Sequence, residues 1–204
     1  MNAQQIMNSE EFKKCADFHG HICPGLCIGY KVAKAAMTRL EEDRSEDEQI
    51  VAIMETDACS ADAVQVLTGC TFGKGNFIYK DHGKMALTLL SRTTGSGVRV
   101  VMTGDGARPD EEHRALIEKM STGELTDVER NRFQELHHQR SCRILETPDE
   151  KMFTITATNM ILPNKARIEP SEPCARCKEP VMKSKLADVK GERVCRGCLE
   201  APLS

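Results

Sequence analysis

Two Cys-x-x-Cys pairs near the end of the chain constrain its folding more than any other feature of the sequence. Cys174 and Cys177 form the first pair, Cys195 and Cys198 form the second, and seventeen residues separate the pairs. Each pair can bring two thiolates to one ion, and two pairs complete the tetrahedral four-sulfur set of a zinc site. A segment of about thirty residues is too small for a hydrophobic core of its own and needs such a metal. The spacing therefore predicts a structural Zn2+ with no position open to substrate.

The residues between and after these pairs predict how the module folds. Segments 181–186 and 189–194 are consistent with a β-hairpin, and Arg196–Glu200 with a short helix. Knuckle, hairpin and helix together resemble a treble-clef zinc finger. Basic residues are frequent here, but the module lacks aromatic side chains for stacking on bases, which disfavours nucleic-acid binding.

Composition separates this module from the rest of the chain. Residues 163–173 contain three prolines and show no hydrophobic periodicity, which is typical of a linker. We therefore predict a core domain over 1–162, a linker over 163–173 and a zinc-finger module over 174–204. In the core, helix and strand patterns mix without regular βαβ alternation. This predicts an α+β domain of mixed helices and a largely antiparallel sheet.

Hydrophobic patterning and turn residues predict the elements of the core. The helices are expected over 10–18, 24–42, 60–67, 109–120 and 127–145, and the strands over 50–54, 77–79, 85–90, 98–103 and 153–158. Turn residues at 81–83 and 94–97 lie close together and favour antiparallel pairing. Ser60 is the expected N-cap of its helix. A stripe of small residues beginning at Gly29 would let another element approach the long helix closely.

Composition also bears on location. The net charge of −3 gives no general attraction to nucleic acid or to an anionic membrane. No run of eighteen apolar residues occurs, and residues 1–14 lack the apolar stretch of a signal peptide. We expect a soluble, cytoplasmic protein without membrane contacts. In that setting the ten cysteines indicate metal binding or reactive thiols rather than disulfides.

A second group of metal-binding side chains lies in the sequence Phe-His-Gly-His-Ile-Cys-Pro-Gly-Leu-Cys over residues 18–27. His19 and His21 flank a glycine, so both can reach one ion only where the chain is irregular. Cys23 or Cys27 could supply a sulfur, because Pro24 suits the first turn of a helix. A helix N-terminus would also favour the thiolate form of both cysteines. The alternative is a shaped turn with two buried cysteines and surface histidines.

Cys59 is a further candidate for this site. It lies where the predicted strand 50–54 has ended and the next helix begins, a place where α and β proteins commonly carry out chemistry. Three protein ligands with one open position would make a catalytic or exchangeable metal site.

The glycine-rich segment around Lys74 is similar to a phosphate loop but does not match one. Three residues separate Gly69 from Gly73, where four are needed, and glycine rather than serine or threonine follows the lysine. We predict a tight glycine turn, with Lys74 as a candidate cofactor-binding side chain facing the site.

Three segments, 18–25, 55–65 and 69–76, together resemble the FmdE family, which takes its name from one of the subunits of formylmethanofuran dehydrogenase. The resemblance covers most of the chain and includes the C-terminal finger, which some members carry. It implies an α+β core, a treble-clef finger and a tendency to form homodimers. It also implies a functional cluster at His19, His21, Cys23 and Cys59.

These observations predict a metal-binding protein with an open His/Cys site for a transition metal (Zn, Fe or Ni), acting in one-carbon or redox metabolism. The candidate catalytic residues are His21, Cys23 and Cys59. The alternative is a non-catalytic metal-handling or accessory subunit of a larger oxidoreductase complex. A nucleic-acid-binding regulator is the least favoured hypothesis. The sequence leaves open whether the protein is an enzyme, and which substrate it would use.

Overall fold

The computed structural model describes residues 1–104 and 108–200. The chain divides into two compact units, Met1–Lys165 and Ala166–Ser204. The division falls between residues 165 and 166, inside the stretch predicted to be a linker.

The first unit combines helices with a central sheet. Its elements are α1 (Ala3–Met7), α2 (Glu10–His19), α3 (Pro24–Leu40), β1 (Ile50–Met54), α4 (Ser60–Thr68), β2 (Phe77–Tyr79), β3 (Ala86–Ser91), β4 (Gly97–Met102), α5 (Glu111–Thr122), α6 (Asp127–Glu146), α7 (Asp149–Met152) and β5 (Phe153–Thr158). This confirms the predicted α+β class and most of the predicted segments. The short helices α1 and α7 were not predicted.

The sheet of the first unit has the order β2-β1-β3-β4-β5. The pairs β1–β3, β3–β4 and β4–β5 are antiparallel, and for β3–β4 this confirms the expectation drawn from the turn residues at 94–97. Strand β2 differs, because it pairs in parallel with β1, Ile53 lying opposite Ile78. The expectation of antiparallel pairing was wrong for β2, since helix α4 carries the chain back between these two strands.

Helix α3 forms the centre of the hydrophobic core. It packs against α4, α6 and the strands β3 and β4, and Leu26, Val32 and Ala36 are fully buried. The approach of α4 requires a glycine: a Cβ atom on Gly29 would lie 2.3 Å from the carbonyl oxygen of Ser60. Gly29 therefore lets another element approach the long helix closely, as predicted. This contact also positions the loop before α4, which carries Cys59.

We expect Gly29→Ala to lower the free energy of unfolding by about 3 kcal/mol, because the added methyl overlaps backbone atoms that cannot turn aside. Urea denaturation measures this change. Gly73→Ala is the matched control, since a Cβ there meets nothing within 4 Å. Equal effects of the two substitutions would contradict the close helix contact.

Helix α4 begins differently from the prediction. Its N-cap is Cys59 in an αR conformation without a side-chain cap hydrogen bond, so the assignment of Ser60 as N-cap was wrong. Backbone turns 58–61 and 59–62 already start the helix, and they place Ser60 inside it. The Ser60 hydroxyl is buried without a hydrogen-bond partner among the residues described.

An ion pair with a buried carboxylate fixes the chain just after β1. The Glu55 carboxylate accepts hydrogen bonds from Arg99 Nε at 2.9 Å and lies 3.0 Å from His82 Nδ1. Burial opposes its charge, but the hydrogen bonds from His82 and Arg99 outweigh burial and hold the pKa of Glu55 below its usual value.

A folded-state pKa below the unfolded one means that Glu55 stabilises the fold above the unfolded pKa of about 4.3. That contribution is lost as the pH falls through the lower folded pKa. We expect Glu55→Gln to cost about 1–2 kcal/mol at neutral pH, because the carboxylate is buried but Arg99 and His82 remain partly exposed to water. Urea denaturation across acidic pH should then show a shallower pH dependence for this variant than for wild type. An unchanged profile would contradict the assignment.

The second unit is small and is built around its cysteines. Its elements are β6 (Ser171–Pro173), β7 (Pro180–Met182), a 3-10 turn (Lys183–Lys185), β8 (Leu186–Val189), β9 (Glu192–Cys195) and α8 (Arg196–Glu200). A hairpin is present as predicted, but it is formed by β8 and β9, and Val181 instead pairs back with Glu172. Strand β6 thus occupies part of the predicted linker, where prolines are tolerated because the strand is at an edge.

Within the described ranges, none of the helices is both long enough and apolar enough to cross a lipid bilayer.

Candidate metal centres

The first candidate centre begins with the last residue of α2. Gly20 adopts φ +88°, which ends the helix and turns the chain so that His19 and His21 lie on the same side. His19 Nδ1 lies 2.7 Å from Asp62 Oδ2. A carboxylate can only accept, so Nδ1 carries the proton and donates it, and the lone pair of Nε2 is directed elsewhere. The geometry therefore fixes the His19 tautomer in the form that binds a metal through Nε2.

Cys23 lies opposite that nitrogen. Its Sγ is 3.7 Å from His19 Nε2 and accepts the backbone N–H of Leu26 at 3.3 Å, as the N-cap of α3. Burial raises the pKa of the Cys23 thiol despite this N–H, and the neighbouring Cys59 raises it further. The expectation that the helix N-terminus makes Cys23 a thiolate is therefore wrong for the protein without an ion, because loss of solvation outweighs the helix end.

The structure also distinguishes between the two cysteines of the motif. Cys27 is fully buried in the first turns of α3, and burial raises its pKa to about 12. It is not part of the ligand cluster.

His21 completes a three-donor set. It is exposed, and its ring lies 4.5 Å from the ring of His19. One ligand atom each from His19, His21 and Cys23 lie within 4.8 Å of one another. With Zn–S of about 2.3 Å and Zn–N of about 2.0–2.1 Å, a tetrahedral ion places its sulfur and nitrogen about 3.6 Å apart. The separation of 3.7 Å between Cys23 and His19 fits such an ion.

Cys59 lies beside this set and next to Cys23. A Cβ on Gly25 would lie 2.9 Å from Cys59 Cβ and 3.8 Å from Cys23 Sγ, so the glycine lets the two cysteines approach each other. Cys59 remains a predicted ligand or reactive thiol beside the three donors.

Lys74 lies elsewhere in this unit. Its Nζ donates to the backbone carbonyls of Glu46 and Asp47, at 3.2 and 3.0 Å, and so ties the glycine turn to the chain that precedes β1. Its role in binding a cofactor remains a prediction.

Asp62 lies in the segment 55–65 that the sequence had already associated with the site, but its role of orienting His19 was not predicted. Two further residues near the site were not foreseen at all. Helix α6 adds Arg140, which interacts electrostatically with Cys23, and His137, which interacts with His21. Helix α6 was predicted to be exposed and charged, and nothing in its sequence indicates which face meets the site.

We expect Asp62→Asn to lower the metal affinity of this centre by about 10- to 100-fold, the usual cost of losing a carboxylate that orients a histidine ligand. Competition with a metal-binding indicator measures the change. Asp57→Asn is the control, because Asp57 is exposed and lies in the loop just before α4. Similar affinities for wild type and Asp62→Asn would show that Asp62 does not support a ligand.

The second candidate centre consists of the four C-terminal cysteines, whose sulfur atoms all lie within 4.8 Å of one another. Cys174 Sγ lies 4.0 Å from Cys198 Sγ, and Cys177 Sγ lies 3.9 Å from Cys195 Sγ. A tetrahedral ion with Zn–S of about 2.3 Å requires sulfurs about 3.8 Å apart. The donor set fits a closed metal site.

Backbone groups support the charge that these sulfurs would carry. The N–H of Cys195 donates to Cys174 Sγ at 3.3 Å, and that of Cys198 donates to Cys195 Sγ at 3.4 Å. The N–H of Cys195, with smaller contributions from those of Cys177 and Arg176, holds the pKa of Cys174 at about 6. The crowding of the other thiols raises the pKa of Cys198. A metal cation would bind all four cysteines as thiolates, because metal binding releases the thiol protons and the positive charge offsets the repulsion between the sulfurs.

The fold and the first centre define a class: an α+β protein with a His/Cys cluster between a glycine-ended helix and a helix N-terminus. A family model described as "FmdE, Molybdenum formylmethanofuran dehydrogenase operon" matches residues 18–154, which include the whole cluster. The chain belongs to the FmdE family.

Two relatives extend this comparison. A protein from Syntrophus aciditrophicus, described as similar to FmdE of a tungsten formylmethanofuran dehydrogenase, has a similar crystal structure, with a TM-score of 0.61 and 25% identity, covering 99% of this chain and 95% of that one. A probable S-adenosyl-L-methionine-binding protein from Archaeoglobus fulgidus is 34% identical in an alignment of 182 residues that covers 86% of this chain and 50% of that protein. This chain thus spans about half the length of that curated relative.

Proposed function

We propose that this FmdE-family protein binds a transition metal, Zn, Fe or Ni, at His19, His21 and Cys23, and serves one-carbon or redox metabolism. Cys59 would be a thiol acting beside the ion or, in place of Cys23, its sulfur ligand. The C-terminal cysteines would hold Zn2+ in a treble-clef finger with a structural role. The observation that carries the proposal is the three-donor set with Asp62 behind His19.

The donor chemistry favours a borderline metal. Imidazole nitrogen and thiolate sulfur suit Zn, Fe and Ni better than they suit Mg or Ca, which prefer oxygen. Three protein ligands leave a coordination position for a small molecule, as in catalytic sites and unlike the closed four-cysteine site. When bound, such an ion supplies Lewis-acid or redox chemistry at that position.

The residues around the open coordination position are held in place by their neighbours. His19 is held in one tautomer by Asp62, so its Nε2 is presented without reorganisation. Cys23 is held by the N–H of Leu26, and its burial keeps water from one side of the site. His21 is exposed and completes the three-donor set from the solvent side.

Elemental analysis of the purified protein tests the proposal. We expect two metal ions per chain in wild type and one in His21→Ala, with the C-terminal ion retained. If Cys59 is a ligand, Cys59→Ala also loses one ion, whereas a Cys59 acting as a thiol leaves two. His82→Ala is the control, since His82 lies at Glu55 and outside the cluster. A single ion in wild type and in every variant would refute the open site.

The family is described by the operon of a dehydrogenase, and this favours an accessory role for the protein as the alternative function. In that case the protein would form a homodimer or join a larger oxidoreductase without turnover of its own. Light scattering of the purified chain reports the first association, and co-purification with dehydrogenase chains from the same operon reports the second.

The name of the Archaeoglobus relative favours a second candidate function, the binding of S-adenosyl-L-methionine, itself a one-carbon donor. Isothermal titration with this compound tests it. S-adenosylhomocysteine, which lacks the sulfonium methyl group, is the control ligand. Absence of heat with both compounds would exclude this function for the chain.

A further inference from the structure

A pair of histidines between α5 and α6 has no role in the centres described above. His113 lies on α5 and is fully buried, and His137 lies on α6 and is partly buried. Their facing atoms, His113 Nε2 and His137 Nδ1, are 3.2 Å apart, and the ring planes are nearly perpendicular at 86°. Phe133 packs against both rings, with centroids 5.3 and 4.9 Å away, and closes one side of the pair.

Burial of His113 lowers the stability of the fold unless its ring nitrogens bind a partner. Its Nδ1 is buried without a hydrogen-bond partner among the residues described. A buried polar atom without a partner costs about 1–3 kcal/mol, whereas a hydrophobic side chain of similar size would fill the space without this cost. No described group on the far side of the ring fixes the tautomer, so Nε2 can present its lone pair towards His137.

The spacing of the two nitrogens matches the requirement of a metal. With metal–nitrogen bonds of about 2.0–2.1 Å and a tetrahedral angle, two imidazole ligands lie about 3.3 Å apart. The observed 3.2 Å agrees with this value and lies at the long end for a hydrogen bond between the rings. The agreement is as good as that for Cys23 and His19 in the first centre.

We propose that His113 and His137 bind a second transition-metal ion beside the His19, His21 and Cys23 centre. The two positions are neighbours, because His137 interacts electrostatically with His21. Imidazole ligands select the same borderline metals as the first centre. Asp110 supplies negative charge near the pair, while Arg140 and Arg143 oppose a cation there. We therefore expect this position to bind more weakly than the other two.

Equilibrium dialysis of the full chain against excess Co2+, followed by elemental analysis, tests the proposal. The double variant His113→Gln/His137→Gln should bind one ion fewer than wild type. Phe133→Leu is the matched control, because it changes the packing of both rings and removes no donor. It should bind as many ions as wild type, and thermal denaturation checks that all variants are folded.

The outcomes separate this proposal from the proposed function. Equal binding by wild type and the double variant would overturn the histidine-pair site, and so would equal losses in the double variant and Phe133→Leu. The variant His19→Ala/Cys23→Ala tests the first centre independently. If each variant loses one ion and the variant that combines all four substitutions loses two, both sites stand. If His19→Ala/Cys23→Ala loses none, the proposed function fails whatever the result for the pair.

Discussion

Removing the ion from the four C-terminal cysteines with a chelator is expected to unfold residues 166–200 and to leave the unit over residues 1–165 folded. The second unit buries little besides Cys174, Val194 and Cys198, so packing alone cannot offset its chain entropy. Binding of structural zinc supplies about 10–16 kcal/mol in modules of this kind, and that energy is folding energy. Hydrogen exchange read by mass spectrometry reports the two units separately.

A substitution gives the same result without a chelator. Cys195→Ser removes one of the four sulfur ligands, so exchange should become fast throughout β8, β9 and α8. Cys142→Ser is the control, since that cysteine lies on α6 in the first unit. Slow exchange in β8 and β9 after metal removal would show that the module folds without an ion.

The second large effect is expected in the first centre. Cys23→Ala should lower its metal affinity by more than about 100-fold, because losing a ligand costs more than losing the group that orients one. Cys27→Ala is a closely matched control: the same change, four residues further along the chain, at a buried thiol of α3 outside the cluster. Competition with a metal-binding indicator measures both affinities.

This pair of variants also decides which cysteine of the motif is the ligand. Loss of affinity in Cys27→Ala with binding retained in Cys23→Ala would reverse the assignment made from the structure. Loss in both variants, with the fold intact, would mean that the motif binds its ion in an arrangement different from the one described.

The sequence was a good guide where local chemistry determines the structure. Helix α2 ends at Gly20 and α3 starts at Pro24 because a left-handed glycine and a proline leave few alternatives. The close approach at Gly29 was foreseen from its lack of a side chain. The four-cysteine cluster was foreseen because its ligands come in two Cys-x-x-Cys pairs, and this spacing by itself indicates a metal site.

Prediction failed where distant segments meet. The parallel pairing of β2 with β1 depends on the path through α4, and the turn residues near β2 carry no information about it. The orientation of His19 by Asp62 joins residues forty-three positions apart. The prediction that Cys23 is a thiolate took only the helix N-terminus into account. Burial against neighbouring elements has the larger effect and raises the pKa of Cys23.

The most direct test of a metal centre at His19, His21 and Cys23 is anomalous diffraction from crystals of the metal-loaded protein, with data collected at the absorption edge of the bound ion. We predict one peak at the four C-terminal cysteines. We predict a second peak about 2.0–2.1 Å from His19 Nε2 and a His21 ring nitrogen, and about 2.3 Å from Cys23 Sγ. Anomalous density at the C-terminal cysteines with none beside His19 would contradict the proposed function.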